Sequence, residues 1–496
     1  MELVHSSIPL YAVFASLFAI PLILLSSRHP DLREMWTMLA ALTKFVLVIS
    51  LLPDALAGRI LTTDLVDISP GVSLSLAADP LGVFFALIAS GLWILTSLYS
   101  IGYMRGLREK KQTRYFASFA LCLSATIGIA FSANLLTFLV FYEILTIATY
   151  PLVIHKGSLA ALQAGRKYLV YTLSAGVILI IALAWTHQIA GSLDFKAGGL
   201  LDGFGLQAGT AVFLFVLFLA GVGVKSAIMP LHSWLPAAMI APTPVSALLH
   251  AVAVVKSGVF GVMRVVGFVF GPVLMREHGL DFLLAAAAAI TILLGSLLAF
   301  RQDNLKRLLA YSTIGHLSYV VLGAALLSSA GMTGGLMHIA AHATMKITLF
   351  FCAGAIYVHL RKENISELDG IGKTMPWTMG AFTVTALGLA GIPPVNGFVS
   401  KWFLGLGAIE ADHLWALAVL LVSGLLNAGY FAPIIYRAYF RTPGKNSGTS
   451  EAPAMMVAPL VITALLSAAL GILPNAGVHF HDLATLIAST VLGSGR

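Results

Sequence analysis

The sequence predicts an all-α integral membrane protein of about fourteen transmembrane helices, and three observations carry that expectation. Of 496 residues, 59% are hydrophobic and only 10% charged, where soluble domains carry about 25% charged residues. Apolar runs of the roughly 20 residues needed to cross a bilayer recur from one end of the chain to the other. Lysine and arginine gather in alternate loops between those runs. No sizeable water-soluble domain fits beside so many spans. Two cysteines, Cys122 and Cys352, both inside apolar runs, cannot build an iron–sulfur cluster, a Cys-rich zinc site or a disulfide framework. The net charge of +8 reads as an excess of basic residues in cytoplasmic loops and not as a nucleic-acid surface.

Taken in order, spans are expected near residues 7–27, 35–55, 80–104, 114–131, 133–154, 167–190, 208–236, 240–269, 281–300, 306–328, 333–358, 375–408, 414–436 and 453–474. The seventh and twelfth are unusually long. Residues 1–27 lack the basic start and small-residue cleavage site of a signal peptide, so none is expected.

With both termini outside, nineteen basic residues fall on the inner side: Arg28, Arg33, Arg105, Arg108, Lys110, Lys111, Arg114, Lys156, Arg166, Lys167, Arg301, Lys306, Arg307, Arg361, Lys362, Lys373, Arg437, Arg441 and Lys445. The outer side holds Arg59, Lys196, Arg276 and Arg496. That asymmetry fixes the expected orientation, because cytoplasmic loops carry the excess of lysine and arginine. Six cations remain in or at the edge of spans, Lys44, Lys225, Lys256, Arg264, Lys346 and Lys401, against one carboxylate, Glu143. A charge at the bilayer centre costs about 2.5–3.5 kcal/mol on insertion scales, so such residues face a protein interior or water and mark ion or proton paths. Lys44 and Arg264 lie near span ends or outside the repeats' cores, and snorkelling to the interface is the better account of both.

The two long spans contain helix-breaking cores, Lys225-Ser-Ala-Ile-Met-Pro-Leu-His-Ser-Trp-Leu-Pro236 and Gly391-Ile-Pro-Pro-Val-Asn-Gly-Phe-Val-Ser-Lys401. Proline removes a backbone donor and clashes with the preceding turn, and unwound backbone at membrane depth is tolerated only against protein or water. The breaks sit five spans apart. If spans four to eight and nine to thirteen are equivalent, an odd offset inserts them with opposite topology, as in inverted-repeat transporters. The expected organisation is an N-terminal three-helix segment (1–112), a first repeat (113–270), an inverted second repeat (271–440) and a last helix with its tail (441–496).

Six stretches in order then carry a resemblance: Phe141-Tyr-Glu143-Ile-Leu; the Lys225–Pro236 break; Ala241-Pro-Thr-Pro-Val-Ser-Ala-Leu-Leu-His250 through Lys256-Ser-Gly; Asp303-Asn-Leu-Lys306-Arg-Leu-Leu-Ala-Tyr-Ser-Thr313; His342-Ala-Thr-Met-Lys346; and the Gly391–Lys401 break. The chain resembles the antiporter-like proton-channel subunits shared by multisubunit Mrp-type cation/proton antiporters and respiratory complex I. The resemblance implies fourteen helices with two inverted five-helix repeats, and a proton relay whose matching positions are Glu143, Lys225, Lys256 and Lys401. It also implies assembly with other membrane subunits in a bacterial or archaeal plasma membrane, with protons and sodium as the ions handled. Family members commonly carry an acid after the Trp-Leu-Pro turn, where this chain has Ala237. The short tail lacks the lateral helix of the longest complex I member. A D-type subunit of an Mrp antiporter is the expectation, and the alternative is a pumping subunit of a complex I-like oxidoreductase, hydrogenase or carbon-uptake complex.

Glu143 has no polar neighbour in its own helix, so a charged form needs a partner elsewhere, and Lys225 is the natural one. His250 and Lys256 are six residues apart, about 600° of helix, and are expected on different faces as successive stations through water. His338, His342 and Lys346 recur every four residues along one stripe, and with His316 they read as a central hydrophilic path. No acid or cysteine completes a metal site around His338 and His342. Gly221-Val-Gly223-Val-Lys225-Ser226 resembles a phosphate-binding loop but has valine before the lysine and lies in a span, so ATP hydrolysis is not supported. No cofactor is expected.

Overall fold

The computed structural model describes residues 2–442, 448–475 and 477–493; Lys445 and Arg496 lie outside them. Among the described residues, thirteen helices are long and apolar enough to cross a membrane. A fourteenth crossing, the twelfth in order, consists of two 15-residue helices, Pro376–Ala390 and Asn396–Glu410. The fold class read from composition is the one observed.

The fourth and fifth spans, Gln112–Ala130 and Leu135–Val153, are separate helices. Asn134 divides them by capping the fifth, its side chain accepting a hydrogen bond from Thr137 N at 2.8 Å. This satisfies a helix-terminal donor that lipid could not. The seventh span is helical only over Ala208–Ser226; a turn follows and a single helical turn, Trp234–Ala237, completes the crossing. Trp234 Nε1 donates to the Val224 carbonyl at 2.8 Å, so the side chain of the break satisfies backbone that the break released.

The eighth span is more irregular than the sequence reading expected. It runs over Thr243–Glu277, with π-helical stretches at Leu248–Val252 and Val265–Phe270. Its described core is buried almost throughout, as is that of the eleventh span, Ser329–Leu360, and the tenth, Leu305–Ala325. These three form the centre of the bundle. The first, sixth, thirteenth and fourteenth spans keep apolar residues such as Phe18, Val177, Leu425 and Leu465 exposed toward the lipid.

Two elements escaped the hydropathy reading. A three-stranded sheet caps the end opposite the basic loops, with β1 (Glu2–His5) parallel to β2 (Arg59–Ser69) and β2 antiparallel to β3 (Val72–Ala78). The strands β2 and β3 flank Pro70-Gly71, a hairpin signal that a search for 20-residue apolar runs passes over. A short helix, Phe480–Leu492, follows the fourteenth span and buries Leu483, Ile487 and Val491.

Two intramembrane cations depart from the expected snorkelling. Lys44 is 0% exposed, and its Nζ donates to the Val13 carbonyl at 3.3 Å, an oxygen shared with Ser124 Oγ at 2.8 Å. Arg264 forms a two-pronged ion pair with Asp79, Nη1 to Oδ2 at 2.5 Å and Nη2 to Oδ1 at 2.7 Å. Phe195, Phe260 and Phe268 surround its guanidinium at 4.7–5.0 Å. Each found an internal partner, so neither needs the interface. Glu34, placed in a loop by the sequence reading, is buried in the first turns of the second span and pairs with Arg105.

Candidate functional site

The fifth span brings Glu143 into the bundle beside the sixth. Both of its carboxylate oxygens are buried and without a hydrogen-bond partner. Gly176 of the sixth span lies against them; a Cβ there would stand 2.6 Å from Oε1. The carboxylate therefore occupies the space that a larger residue at 176 would fill.

Lys225 stands in the last turn before the break of the seventh span, 0% exposed. Its Nζ donates to the carbonyl of Tyr142 at 2.5 Å and lies 3.4 Å from the centre of the Tyr142 ring. The expected partner, Glu143, is the next residue along the same helix, and no ion pair joins the two. The amine is thus held by a carbonyl and an aromatic face, each of which favours a cation, while the carboxylate waits one residue away without a donor.

The eighth span crosses this break at backbone contact. A Cβ on Gly258 would meet Ser226 N at 2.2 Å and the Lys225 carbonyl carbon at 2.5 Å. Only glycine fits there, because the backbones touch where any side chain would begin. Lys256, two residues earlier, places Nζ 2.6 Å from His342 Nδ1 on the eleventh span. One of the two nitrogens must present a lone pair to the other, so a single proton is shared across the bond.

His250 also approaches the eleventh span. Its ring sits 4.8 Å from that of Phe350, on the same eleventh span that holds His342. His250 lies in the π-helical turn at Leu248–Val252, whose i→i+5 bonding departs from regular α-helical spacing. Both ring nitrogens of His250 are buried and unpartnered.

Beyond Lys256 the stripe on the eleventh span is arranged as its spacing predicted. His338 Nε2 meets His316 Nδ1 at 3.1 Å, and His338 Nδ1 meets Ser400 Oγ at 2.9 Å. The His316 ring lies 5.6 Å from that of His342 and 5.3 Å from that of His338. Lys346 Nζ donates to Ser312 Oγ at 2.8 Å; Ser312 Oγ is 2.7 Å from Tyr430 OH, which donates to Asn427 Oδ1 at 2.8 Å. Asn427 Nδ2 in turn approaches His316 Nε2 at 3.3 Å and the Leu389 carbonyl at 3.4 Å. That carbonyl belongs to the break in the twelfth span. Lys401 takes the same oxygen at 2.7 Å and the Ala390 carbonyl at 3.1 Å.

Lys256, His342, His316, His338, Lys346 and Lys401 therefore come together along one buried line, with Glu143 and Lys225 at its near end. The line also uses Ser312, Ser400, Asn427 and Tyr430, which the sequence reading did not single out. Asn427 had a signal: it is a lone amide within the thirteenth apolar run. Among the described residues no group of His, Cys, Asp and Glu could hold a metal ion.

Residues 132–427 match the family described as "NADH:quinone oxidoreductase/Mrp antiporter, TM", and residues 68–116 match "NADH-Ubiquinone oxidoreductase (complex I), chain 5 N-terminus". The N-type subunit of the NADH-quinone oxidoreductase of Desulforudis audaxviator is 32% identical over 420 residues, covering 81% of this chain and 83% of that protein. The D-type subunit of the Na(+)/H(+) antiporter of Alkalihalophilus pseudofirmus is 28% identical over 441 residues, covering 89% and 88%. A chain in the structure of the Mrp complex from Dietzia sp. DQ12-45-1b has the same fold, with a TM-score of 0.86 at 21% identity over 99% of this chain and 98% of that one. The match of residues 132–427, more than half of the sequence, makes this chain a member of the NADH:quinone oxidoreductase/Mrp antiporter transmembrane family.

Proposed function

We propose that the chain is a proton-translocating subunit of a multisubunit membrane complex, of the Mrp-type sodium/proton antiporter class. The observation that carries this reading is the buried series of amines, imidazoles, hydroxyls and amides between Glu143 and Lys401: the Lys256–His342 pair, and a hydrogen-bonded stretch from His338 and Lys346 through His316 and Asn427 to the Leu389 carbonyl that Lys401 also takes. It has many bases that trade protons and one carboxylate that can bias them. Glu143 and Lys225 act as the input switch: with the amine on the Tyr142 carbonyl the pair is open, and rotation onto the Glu143 carboxylate closes it. Closing holds the lysine proton, and opening leaves the amine less stabilised and able to pass the proton toward Lys256. A proton crossing 100 mV is worth about 2.3 kcal/mol, within what making and breaking one buried pair supplies.

The two broken spans serve as corresponding elements of inverted repeats over 113–270 and 271–440, each ending a segment of path beside a lysine. Both termini lie outside, and the basic loops face the cytoplasm of a bacterial or archaeal cell. A pumping subunit of a complex I-like oxidoreductase is a second reading, favoured by the 32% identity to an NADH-quinone oxidoreductase subunit over four-fifths of this chain.

The test is the native complex in proteoliposomes with an internal pH dye. Glu143→Gln and Lys225→Ala are each expected to abolish coupled proton movement while the complex assembles. Wild-type transport by an assembled Glu143→Gln complex refutes the switch. Sodium-driven pH change without an electron donor identifies the antiporter; a change that requires the donor identifies the oxidoreductase arm.

A further inference from the structure

Where the basic loops meet the membrane, a cavity of about 450 Å³ opens between the start of the sixth span, the segment after the broken seventh and the start of the tenth. Its ionisable lining is Lys156, Lys167, Lys306, Arg307 and Glu363, four cations against one acid. Glu363 accepts only a long contact from Asn304, at 3.5 Å, and none of the four cations is joined to it by an ion pair. Lys306 donates to the Ala241 carbonyl at 2.7 Å, and Lys156 Nζ lies over the Tyr357 ring at 6.0 Å. Two helix N-termini, at Leu159 and Leu305, open beside the cavity and add positive potential. A general excess of cations on one membrane face scatters charges over convex loops. Here they converge on a concavity whose floor includes Met239 and Ile240, and a concave wall of low dielectric focuses the field of like charges.

We propose that this cavity binds the phosphate headgroup of an anionic phospholipid from the same leaflet. The lipid is favoured over a free phosphate by what lies beneath Lys167: Val170, Ser174 and Val177 continue its side of the sixth span, with the valines 57% and 59% exposed. An acyl chain lies along that stripe while the phosphate meets the lysines, as basic pockets between spans bind anionic headgroups. The site has a further position of interest. A small neighbouring pocket shares Lys156, Lys306 and Glu363 and reaches Tyr103 and Thr243, at the start of the eighth span below which His250 lies. On the proton-transport reading above, a bound phosphate therefore stands at the inner mouth of the path, and lipid composition tunes entry. The binding itself needs no transport and is tested without it.

The purified full-length chain, delipidated, is incubated with phosphatidylglycerol, phosphatidylcholine or inorganic phosphate and examined by native mass spectrometry. A site variant, Lys156→Gln/Lys167→Gln/Arg307→Gln, is compared with a control that removes three exposed charges from the same face, Arg28→Gln/Lys373→Gln/Arg441→Gln. The expected result is retained phosphatidylglycerol on wild type and control, at least tenfold weaker retention on the site variant, and little phosphatidylcholine. Equal retention by the two variants overturns the site, as does equal retention of the two lipids by wild type. Binding of inorganic phosphate that displaces the lipid's share overturns the lipid as occupant. If the site variant melts far below wild type, the comparison of the two lipids on wild type decides alone.

Discussion

Changing Asp79 to Asn removes the charge that neutralises Arg264 and leaves almost everything else in place. Asp79 also caps the third span, Pro80–Leu107, through Oδ1 and Gly82 N at 2.8 Å. Asparagine caps as well as aspartate, so the substitution isolates the ion pair. The pair is 2% and 11% exposed at its two side chains and makes two short bonds. Removing one partner of such a buried pair costs about 3–5 kcal/mol, because a charge is left without compensation. Three phenylalanine faces at 4.7–5.0 Å soften that cost, since each cation–π contact is worth up to about 2 kcal/mol when desolvated. The lower end, about 3 kcal/mol, is therefore expected, roughly a 150-fold change in the unfolding equilibrium at 1.4 kcal/mol per tenfold. Reversible unfolding of the purified chain by SDS in mixed micelles, followed by tryptophan fluorescence, measures it. The double variant Asp79→Asn/Arg264→Met should recover most of the loss, as no unpaired charge remains. A double variant whose destabilisation equals the sum of the two single ones, so that coupling falls below about 1 kcal/mol, refutes the claim that the two groups act as a pair.

Replacing Lys401 with Arg, which keeps the charge but does not release its proton, should stop proton movement in assembled proteoliposomes as completely as Lys401→Ala; normal transport by the arginine variant makes Lys401 a fixed charge and moves the exit to Lys346 or His342. Cysteines at Lys110 and Asp202 should respond oppositely to an impermeant thiol reagent in intact cells, with 202 labelled and 110 shielded. Cys122 and Cys352 are buried and give little background, and the reverse pattern inverts the proposed orientation.

The parts of this structure that were legible in the sequence are those set by local composition. Span positions follow from the apolar runs, and the two breaks follow from proline in the midst of them. The titratable residues are few enough in a membrane that subtraction finds Glu143 and the lysines. The spacing of His338, His342 and Lys346 gave their common face because the eleventh span is a regular helix. The same arithmetic has less hold on His250 and Lys256, because a π-helical turn that no residue type announces lies between regular stretches of their span. Pairings distant in the chain were equally silent. Arg264 meets Asp79 across 185 positions and Lys44 meets the Val13 carbonyl across 31, and from the sequence each looks the same as a snorkelling cation. The sheet was missed because its strands are shorter and more polar than the runs being sought.

The bare contact between Gly258 and the end of the seventh span has a mechanical consequence. Backbones that touch without side chains between them have no compliant layer to absorb a displacement, since packed interiors transmit strain. A shift of the Lys225 turn therefore pushes directly on the helix that positions Lys256 two residues away. Lys225 and Lys256, the first two lysines of the proposed relay, are thereby linked as parts of one lever, in addition to sensing each other's charge through the interior. A side chain inserted at 258 would act as a wedge in that hinge, spacing the two helices and uncoupling their movements even with every titratable residue intact.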